Sequence, residues 1–123
     1  MIVGLGIDLV EVDRVEKVIR RWGGAFLARI MDPAEVAALP PGWPPATVAD
    51  AVAVKEAVSK AIGTGWSGGV RWREIVVAHG NRPAARLGGA ALAVARRLGS
   101  SGATEVHIEH RPGLVIATVR LLA

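Results

Sequence analysis

Residues 2–9 read Ile2-Val3-Gly4-Leu5-Gly6-Ile7-Asp8-Leu9, a stretch in which large apolar side chains alternate with glycine or a carboxylate from Val3 onward. Successive side chains of a β-strand point to opposite faces, so this alternation predicts a half-buried strand. We expect Gly4 and Gly6 to leave open space on the second face, with the carboxylate of Asp8 projecting into it near the first helix. A simpler interpretation is that Asp8 only helps the strand to end.

A second informative stretch predicts a helix over residues 47–62. At 100° per residue its polar residues concentrate on one side, and apolar residues lie opposite. The polar side comprises Lys55, Glu56, Ser59, Lys60 and Gly63. Lys55 with Ser59, and Glu56 with Lys60, are also i,i+4 pairs, each worth only about 0.2–0.5 kcal/mol on an exposed helix. The pattern therefore indicates either a reactive side or a stabilised surface.

The rest of the chain predicts short helices and strands in alternation. Asp13 and Glu16 are expected to form a capping box at the start of a helix that Gly23 and Gly24 end. A turn and a helix with Asp32 as N-cap follow, and prolines in residues 40–45 predict a stiff loop. Further elements are expected at residues 74–79, 84–87, 89–98, 105–109 and 114–122, the last two as a hairpin. This mixture predicts an α+β fold with a small antiparallel sheet.

Length and composition exclude several classes of protein. The 123 residues suit one domain, 1–123, and 51% apolar with 21% charged residues is typical of a folded chain. The absence of cysteine excludes disulfides, thiolate nucleophiles and Cys-ligated zinc. No apolar run is long enough to span a bilayer, which predicts a cytoplasmic protein with no membrane partner. The net charge of +4 favours an acidic partner, while scarce aromatic residues disfavour a nucleic-acid partner.

The predicted first helix carries a basic stripe at steps of three and four residues. It comprises Arg14, Lys17, Arg20 and Arg21. Such a stripe is usually a solvated face, and the functional alternative is a docking surface for an acidic protein.

The candidate reactive residues come from three separate elements and comprise Asp8, Glu56, Lys60 and His110. Two carboxylates without cysteine suit a hard divalent ion such as Mg²⁺, which commonly takes one or two carboxylates together with phosphate oxygens and water. The three histidines, at 79, 107 and 110, would instead suggest zinc, but three histidines in 123 residues are ordinary.

Several motifs resemble the holo-acyl-carrier-protein synthase family, the small 4′-phosphopantetheinyl transferases. They are Gly4-Leu5-Gly6-Ile7-Asp8-Leu9-Val10-Glu11 with Arg14, Phe26-x-x-Arg29 with Glu35, and Lys55-Glu56-Ala57-Val58-Ser59-Lys60-Ala61-Ile62-Gly63-Thr64-Gly65. Asn81-Arg82-Pro83 stands where the family usually has Gly-Lys-Pro, and a hairpin histidine, His110, follows. The first and third motifs are highly specific as a pair, and together the motifs span nearly the whole chain.

The resemblance implies magnesium-dependent transfer of the 4′-phosphopantetheine arm of coenzyme A to a serine of an acyl carrier protein, with release of adenosine 3′,5′-bisphosphate. This activity belongs to fatty acid and lipid biosynthesis, and the family assembles as a homotrimer with active sites between subunits. The resemblance assigns Mg²⁺ to Asp8 and Glu56, and catalysis to Glu56, Lys60 and His110. It assigns coenzyme A to Lys55, Ser59, Gly63, Arg82, Pro83 and His110, and the acidic carrier protein to Arg14, Lys17 and Arg21. The general base is either Glu56 acting through water or His110.

Departures from the family pattern leave coenzyme A affinity and carrier choice open. Ala51-Val52-Ala53-Val54 stands where the family has Arg-Phe-Ala-Ala, so an arginine expected at the coenzyme A phosphates is lost. Near the C-terminus the sequence is His107-Ile108-Glu109-His110-Arg111, in which Arg111 could replace that contact and Glu109 could repel the substrate. The alternative hypothesis is a catalytically weak or inactive relative that acts as a carrier-protein-binding or assembly subunit.

Overall fold

The computed structural model describes residues 1–63 and 69–123. The first strand, β1, is followed by four helices and a short 3₁₀ helix, and then by two strands, a helix and a final hairpin. Their bounds are β1 Ile2–Glu11, α1 Val12–Trp22, α2 Gly24–Ile30, α3 Pro33–Ala38, α4 Pro45–Ile62, the 3₁₀ helix Trp72–Glu74, β2 Ile75–Ala78, β3 Ala84–Leu87, α5 Gly89–Arg97, β4 Thr104–Arg111 and β5 Leu114–Leu122. Thr64 and Gly65, the end of the third family motif, lie outside the described residues.

The strands form two antiparallel sheets. One has the order β1-β5-β4, and the other pairs β2 with β3. Every strand pairing in the described part of the chain is antiparallel. Helix α4 packs across β1 and β5, and the core consists mainly of its small apolar residues and the inward side chains of β5. The predicted α+β class and the C-terminal hairpin are confirmed.

The glycines of β1 allow α4 to lie directly on the strand. A Cβ atom at Gly6 would stand 1.8 Å from the carbonyl oxygen of Ala57, and one at Gly4 would stand 2.3 Å from that of Ala61. Both positions therefore exclude any side chain. The expectation of open space on this face is wrong, because the backbone of α4 fills it. Asp8, on the same face, points towards α4 rather than α1.

The apolar face of β1 is turned outward. Leu5, Ile7 and Leu9 are each more than half exposed, at 55%, 54% and 53%. Strand alternation was correctly predicted, but alternation alone does not say which face the core covers. In this chain the glycine face is covered, and the apolar face forms an exposed row along one edge of the sheet.

Asp32 is the N-cap of α3, as predicted, and it forms a capping box with Glu35. The Asp32 side chain accepts a hydrogen bond from the backbone N–H of Glu35, and the Glu35 side chain accepts one from the backbone N–H of Asp32. The predicted box at Asp13 is wrong, because α1 already begins at Val12, with Glu11 at its N-cap and no side-chain cap. The pairing of β1 with β5 accounts for this difference, because it extends to Glu11 and α1 follows with no intervening turn.

Membrane insertion receives no support from the helices. In residues 1–63 and 69–123 no helix combines the length and the apolar character that a bilayer crossing requires.

We expect Gly6→Ala to destabilise the protein by more than the roughly 1–3 kcal/mol usual for overpacking, because its new methyl group meets backbone rather than a movable side chain. Gly24→Ala is the matched control, since a Cβ there meets only the Trp43 ring at 3.5 Å. Urea unfolding of both variants measures the difference in unfolding free energy. Equal midpoints for the two variants would contradict the close contact between strand and helix.

Candidate active site

The carboxylate of Asp8 lies beside α4 in a nearly buried position, 8% exposed. Lys60 donates to Asp8 Oδ1 at 2.7 Å and to the Ile7 carbonyl oxygen at 3.2 Å. Asp8 Oδ2 is buried and has no hydrogen-bond partner among the described residues. A buried carboxylate oxygen without a partner is costly, so this atom suits a ligand that the protein itself does not supply.

Glu56 shares this position with Asp8. Burial is the largest cause that raises the pKa of Glu56 to about 7, and the neighbouring Asp8 carboxylate acts in the same direction. Lys60 opposes the rise. Near neutral pH the Glu56 carboxyl group therefore holds a proton for part of the time. A divalent cation in place of that proton would let Glu56 ionise beside Asp8.

The donor set fits a hard divalent ion. Asp8 and Glu56 supply carboxylate oxygens, and Asp8 Oδ2 is the orphaned oxygen that an ion would satisfy. Across the described ranges, no three residues of the types His, Cys, Asp and Glu gather as a metal-binding group. Two protein carboxylates with phosphate and water as the other ligands match magnesium rather than a structural zinc site.

A cleft leads from Glu56 to the first helix. It has a volume of about 370 Å³, and its charged lining residues are the acidic Glu56 and Glu11 and the cationic Arg14. Its apolar walls include Phe26, Val52 and Trp72. The cleft can therefore admit an uncharged chain between the carboxylate pair and the basic face of α1.

Lys55 does not face this cleft. Its side chain is fully buried, and its ammonium donates to the Glu35 carboxylate at 3.0 Å, to the Trp72 carbonyl at 2.9 Å and to the Ile75 carbonyl. Burial lowers the pKa of Lys55, while the charge and hydrogen bond of Glu35 oppose the fall. An ammonium has three donors, and all three are used. The prediction that Lys55 contacts coenzyme A is therefore corrected, and Lys55 is an internal residue.

Ser59 is also buried, and neither predicted i,i+4 pair forms as an exposed contact. The Ser59 hydroxyl donates to the Lys55 carbonyl at 2.9 Å and accepts from the Trp72 indole at 3.2 Å. Lys60 forms its ion pair with Asp8 rather than with Glu56. Gly63 is exposed and ends α4 with a left-handed backbone at φ 78°. A contact of Ser59 or Gly63 with coenzyme A stays a prediction.

His110, Arg82 and Pro83 meet in a second cleft of about 450 Å³. His110 Nε2 lies 2.7 Å from Asp50 Oδ1, and Asp50 lines the same cleft. Sequence reasoning missed Asp50, because nothing in the sequence links two residues sixty positions apart. This cleft shares no lining residue with the cleft that contains Glu56. Within one chain, the predicted catalytic residue His110 and Glu56 therefore lie in different clefts.

The basic stripe of α1 is exposed as predicted. Arg14, Lys17 and Arg21 have no carboxylate partner within the described residues, whereas Arg20 pairs with Glu16 at 2.5 Å. The Arg21 guanidinium lies over the Trp22 ring, 5.1 Å from its centre. Three cations thus remain available on the face next to the cleft of Glu56.

Comparisons with known proteins agree on one family. A family model described as the 4′-phosphopantetheinyl transferase superfamily matches residues 4–119. The holo-[acyl-carrier-protein] synthase of Solidesulfovibrio magneticus is 48% identical over 98% of both chains, and that of Desulfovibrio desulfuricans is 43% identical over 100% of this chain and 99% of its own.

Solved structures give the same result. The holo-[acyl-carrier-protein] synthase of Neisseria meningitidis superposes with a TM-score of 0.87 at 32% identity, covering 100% of both chains. The synthase of Helicobacter pylori, solved in complex with coenzyme A, superposes with a TM-score of 0.80 at 27% identity, covering 95% of this chain and 98% of its own.

We expect the metal-free protein to lose stability as pH rises from about 4.5 to about 7. The ordinary pKa of 4.5 applies in the unfolded chain and the folded pKa is about 7. A raised folded pKa means that the folded state holds its proton more tightly, so ionisation disfavours folding across this window. Glu56→Gln removes the titrating group and should flatten that part of the profile. Urea unfolding in a chelator at several pH values measures it, with Glu16→Gln as the control; a slope unchanged by Glu56→Gln would contradict the assignment.

Proposed function

This chain belongs to the holo-acyl-carrier-protein synthase family of 4′-phosphopantetheinyl transferases, and from that premise we propose which residues carry its reaction. It is an enzyme that transfers a 4′-phosphopantetheine arm to an acyl carrier protein, with coenzyme A as the source of the arm. We further propose that the reaction depends on Mg²⁺, releases adenosine 3′,5′-bisphosphate and serves fatty acid and lipid biosynthesis. The observation that carries the proposal is the cluster of Asp8, Glu56 and Lys60.

In this proposal Asp8 and Glu56 hold the magnesium ion. When bound, the ion neutralises and orients the pyrophosphate of coenzyme A. Lys60 stabilises negative charge on the phosphate under attack, because its ammonium is half exposed and already fixed by Asp8. The serine oxygen forms a bond to the phosphorus that carries the arm, and the bond from that phosphorus to the bridging oxygen breaks. The electron pair leaves with adenosine 3′,5′-bisphosphate.

The serine proton goes to a general base, and the geometry favours Glu56 acting through water. Glu56 lies in the cleft that Arg14 of the basic helix also lines. A general base whose pKa lies near the working pH is efficient. His110 lies in the other cleft, where it is hydrogen-bonded to Asp50. We therefore assign His110 to coenzyme A and to catalysis only through substrate placement.

The cleft of Arg82, Pro83 and His110 is proposed to hold the nucleotide end of coenzyme A. Its size and its basic side chains suit that end, and the Helicobacter pylori relative was solved with coenzyme A. Ala51 is fully buried, so its own methyl group offers no contact to a ligand. Arg111 pairs with Glu109 at 2.9 Å, so the two departures near the C-terminus neutralise each other.

We propose a homotrimer because the two clefts of one chain share no lining residue. A site that needs both the Asp8–Glu56 pair and the His110 cleft is completed most simply by a second copy. The exposed row of Leu5, Ile7 and Leu9 is an apolar surface of the kind that subunit contacts cover. The alternative of an inactive relative is not favoured, because the carboxylate pair and Lys60 are intact.

We expect the enzyme to transfer the arm to the apo acyl carrier protein of Solidesulfovibrio magneticus when coenzyme A and Mg²⁺ are present. Glu56→Gln should lower the rate by about 100-fold or more, since the loss of a metal ligand and base removes stabilisation of the transition state. Intact mass of the carrier measures transfer, and Glu16→Gln serves as the control. Transfer at the parental rate by Glu56→Gln would contradict its role, and transfer that persists in a chelator would contradict the metal dependence.

Charge reversal on α1 should weaken carrier docking. We expect Arg14→Glu with Arg21→Glu to raise the KM for the carrier about 10-fold at low salt, because exposed charges act mainly on the rate of encounter. The KM for coenzyme A should not change, and the effect should shrink at high salt. Arg96→Glu with Arg97→Glu, at the exposed end of α5, matches the change in net charge. Equal losses in the two pairs would return α1 to an ordinary solvated face.

A further inference from the structure

A third cleft, here called the arginine cleft, lies between α2 and the 3₁₀ helix. Its volume is about 840 Å³. Three arginines line it, Arg29, Arg71 and Arg73, and all three are exposed. Its apolar floor includes Ile30 and Val70, both buried. The cleft therefore combines an apolar base with a cationic rim.

The positive charge of the arginine cleft is not compensated by the acids around it. None of its three arginines has an ion-pair partner in the described part of the chain. Glu74, next to Arg73, accepts a hydrogen bond from the backbone N–H of Ala91 and so caps α5. Glu35 is buried against Lys55. The neighbouring carboxylates are thus occupied internally, and the arginines remain available to an external anion.

The backbone that carries two of these arginines is held rigidly. Lys55 donates to the carbonyl oxygens of Trp72 and Ile75, and the Arg71 carbonyl accepts from the backbone N–H of Glu74 at 2.9 Å. Trp72 points inward between Arg71 and Arg73, and its indole donates to Ser59. Ordering this segment has therefore been achieved before a partner binds, which reduces the entropy cost of binding.

The arginine cleft adjoins the cleft that contains Glu56. Phe26 and Trp72 line both of them. A protein that places a serine near Glu56 and an acidic surface on Arg14 therefore extends, beyond Phe26, onto the arginine cleft. Cationic surfaces on both sides of the reactive cleft suit one acidic partner better than two separate ligands.

Resting on the proposed function, we propose that Arg71 and Arg73 form a second docking contact for the acidic carrier protein, separate from the basic stripe of α1. Arg29 belongs to the Phe-x-x-Arg motif. Arg71 and Arg73 lie outside that motif, on either side of the buried Trp72, and the proposed contact is assigned to these two residues. The partner chemistry is an acidic protein segment with apolar side chains between its carboxylates. These two residues then help to decide which carrier proteins the enzyme modifies.

Steady-state transfer to the apo acyl carrier protein of Solidesulfovibrio magneticus tests the proposal. Arg71→Glu with Arg73→Glu should raise the KM for the carrier about 10-fold at low salt, with kcat and the KM for coenzyme A unchanged. The neutral pair Arg71→Gln with Arg73→Gln should move the KM in the same direction by less, and it keeps the test valid if the reversed pair folds poorly. Arg96→Glu with Arg97→Glu is the control of equal charge.

The possible results separate this inference from the proposed function. If the parent enzyme transfers the arm and both variants of Arg71 and Arg73 keep the parental KM, the second contact is overturned and the function stands. An equal rise in the Arg96 and Arg97 control assigns the effect to net charge and also overturns it. Loss of binding to a short single-stranded DNA, with an unchanged carrier KM, would assign the cleft to nucleic acid and overturn it. A parent enzyme that transfers nothing contradicts the proposed function itself.

Discussion

The direct contact between the backbones of β1 and α4 is the constraint on which the rest of the structure depends. It exists because neither Gly4 nor Gly6 has a Cβ, and a methyl group at either position would overlap a helix carbonyl. The strand therefore lies closer to α4 than side chains would allow. Asp8, one residue pair further along the same face, is brought beside Lys60 and Glu56 by this proximity. The same contact that closes the core thus also assembles the reactive cluster.

A buried ion pair provides a second fixed point at the other side of α4. Lys55 and Glu35 connect four elements, since Glu35 also caps α3 and accepts from the backbone N–H of Val77, at 3.0 Å. Removal of one partner from such a pair typically costs about 3–5 kcal/mol, because the remaining charge stays buried. Each of the two buried charges therefore depends on the presence of the other. The pair also fixes the position of Trp72, which lines both the arginine cleft and the cleft of Glu56.

The sequence predicted the elements and the proximity of Asp8, Glu56 and Lys60 better than it predicted their surroundings. Asp8, Glu56 and Lys60 were found because a strand and a helix each carry their own period, and the family motifs add the pairing. Lys55 was misassigned because a helical projection shows which residues share a side but not which neighbouring element covers that side. The contact between Asp50 and His110 has no local signal, since it depends on how β4 crosses α4. The exposed row of Leu5 and its neighbours has the same origin, because alternation does not reveal which face is covered.

The arrangement of clefts explains why this chain can depart from the family pattern without losing its reactive centre. The loss of an arginine at Ala51 and the changes around Glu109 and Arg111 lie at the C-terminal hairpin and the early part of α4, near the cleft of His110. None of them touches the contact of Gly6 with Ala57 or the pair of Asp8 with Lys60. Asp50 and Glu56 both lie on α4, but they line different clefts. Because the clefts are different, side chains around His110 can change while the contacts of Asp8 with α4 are preserved.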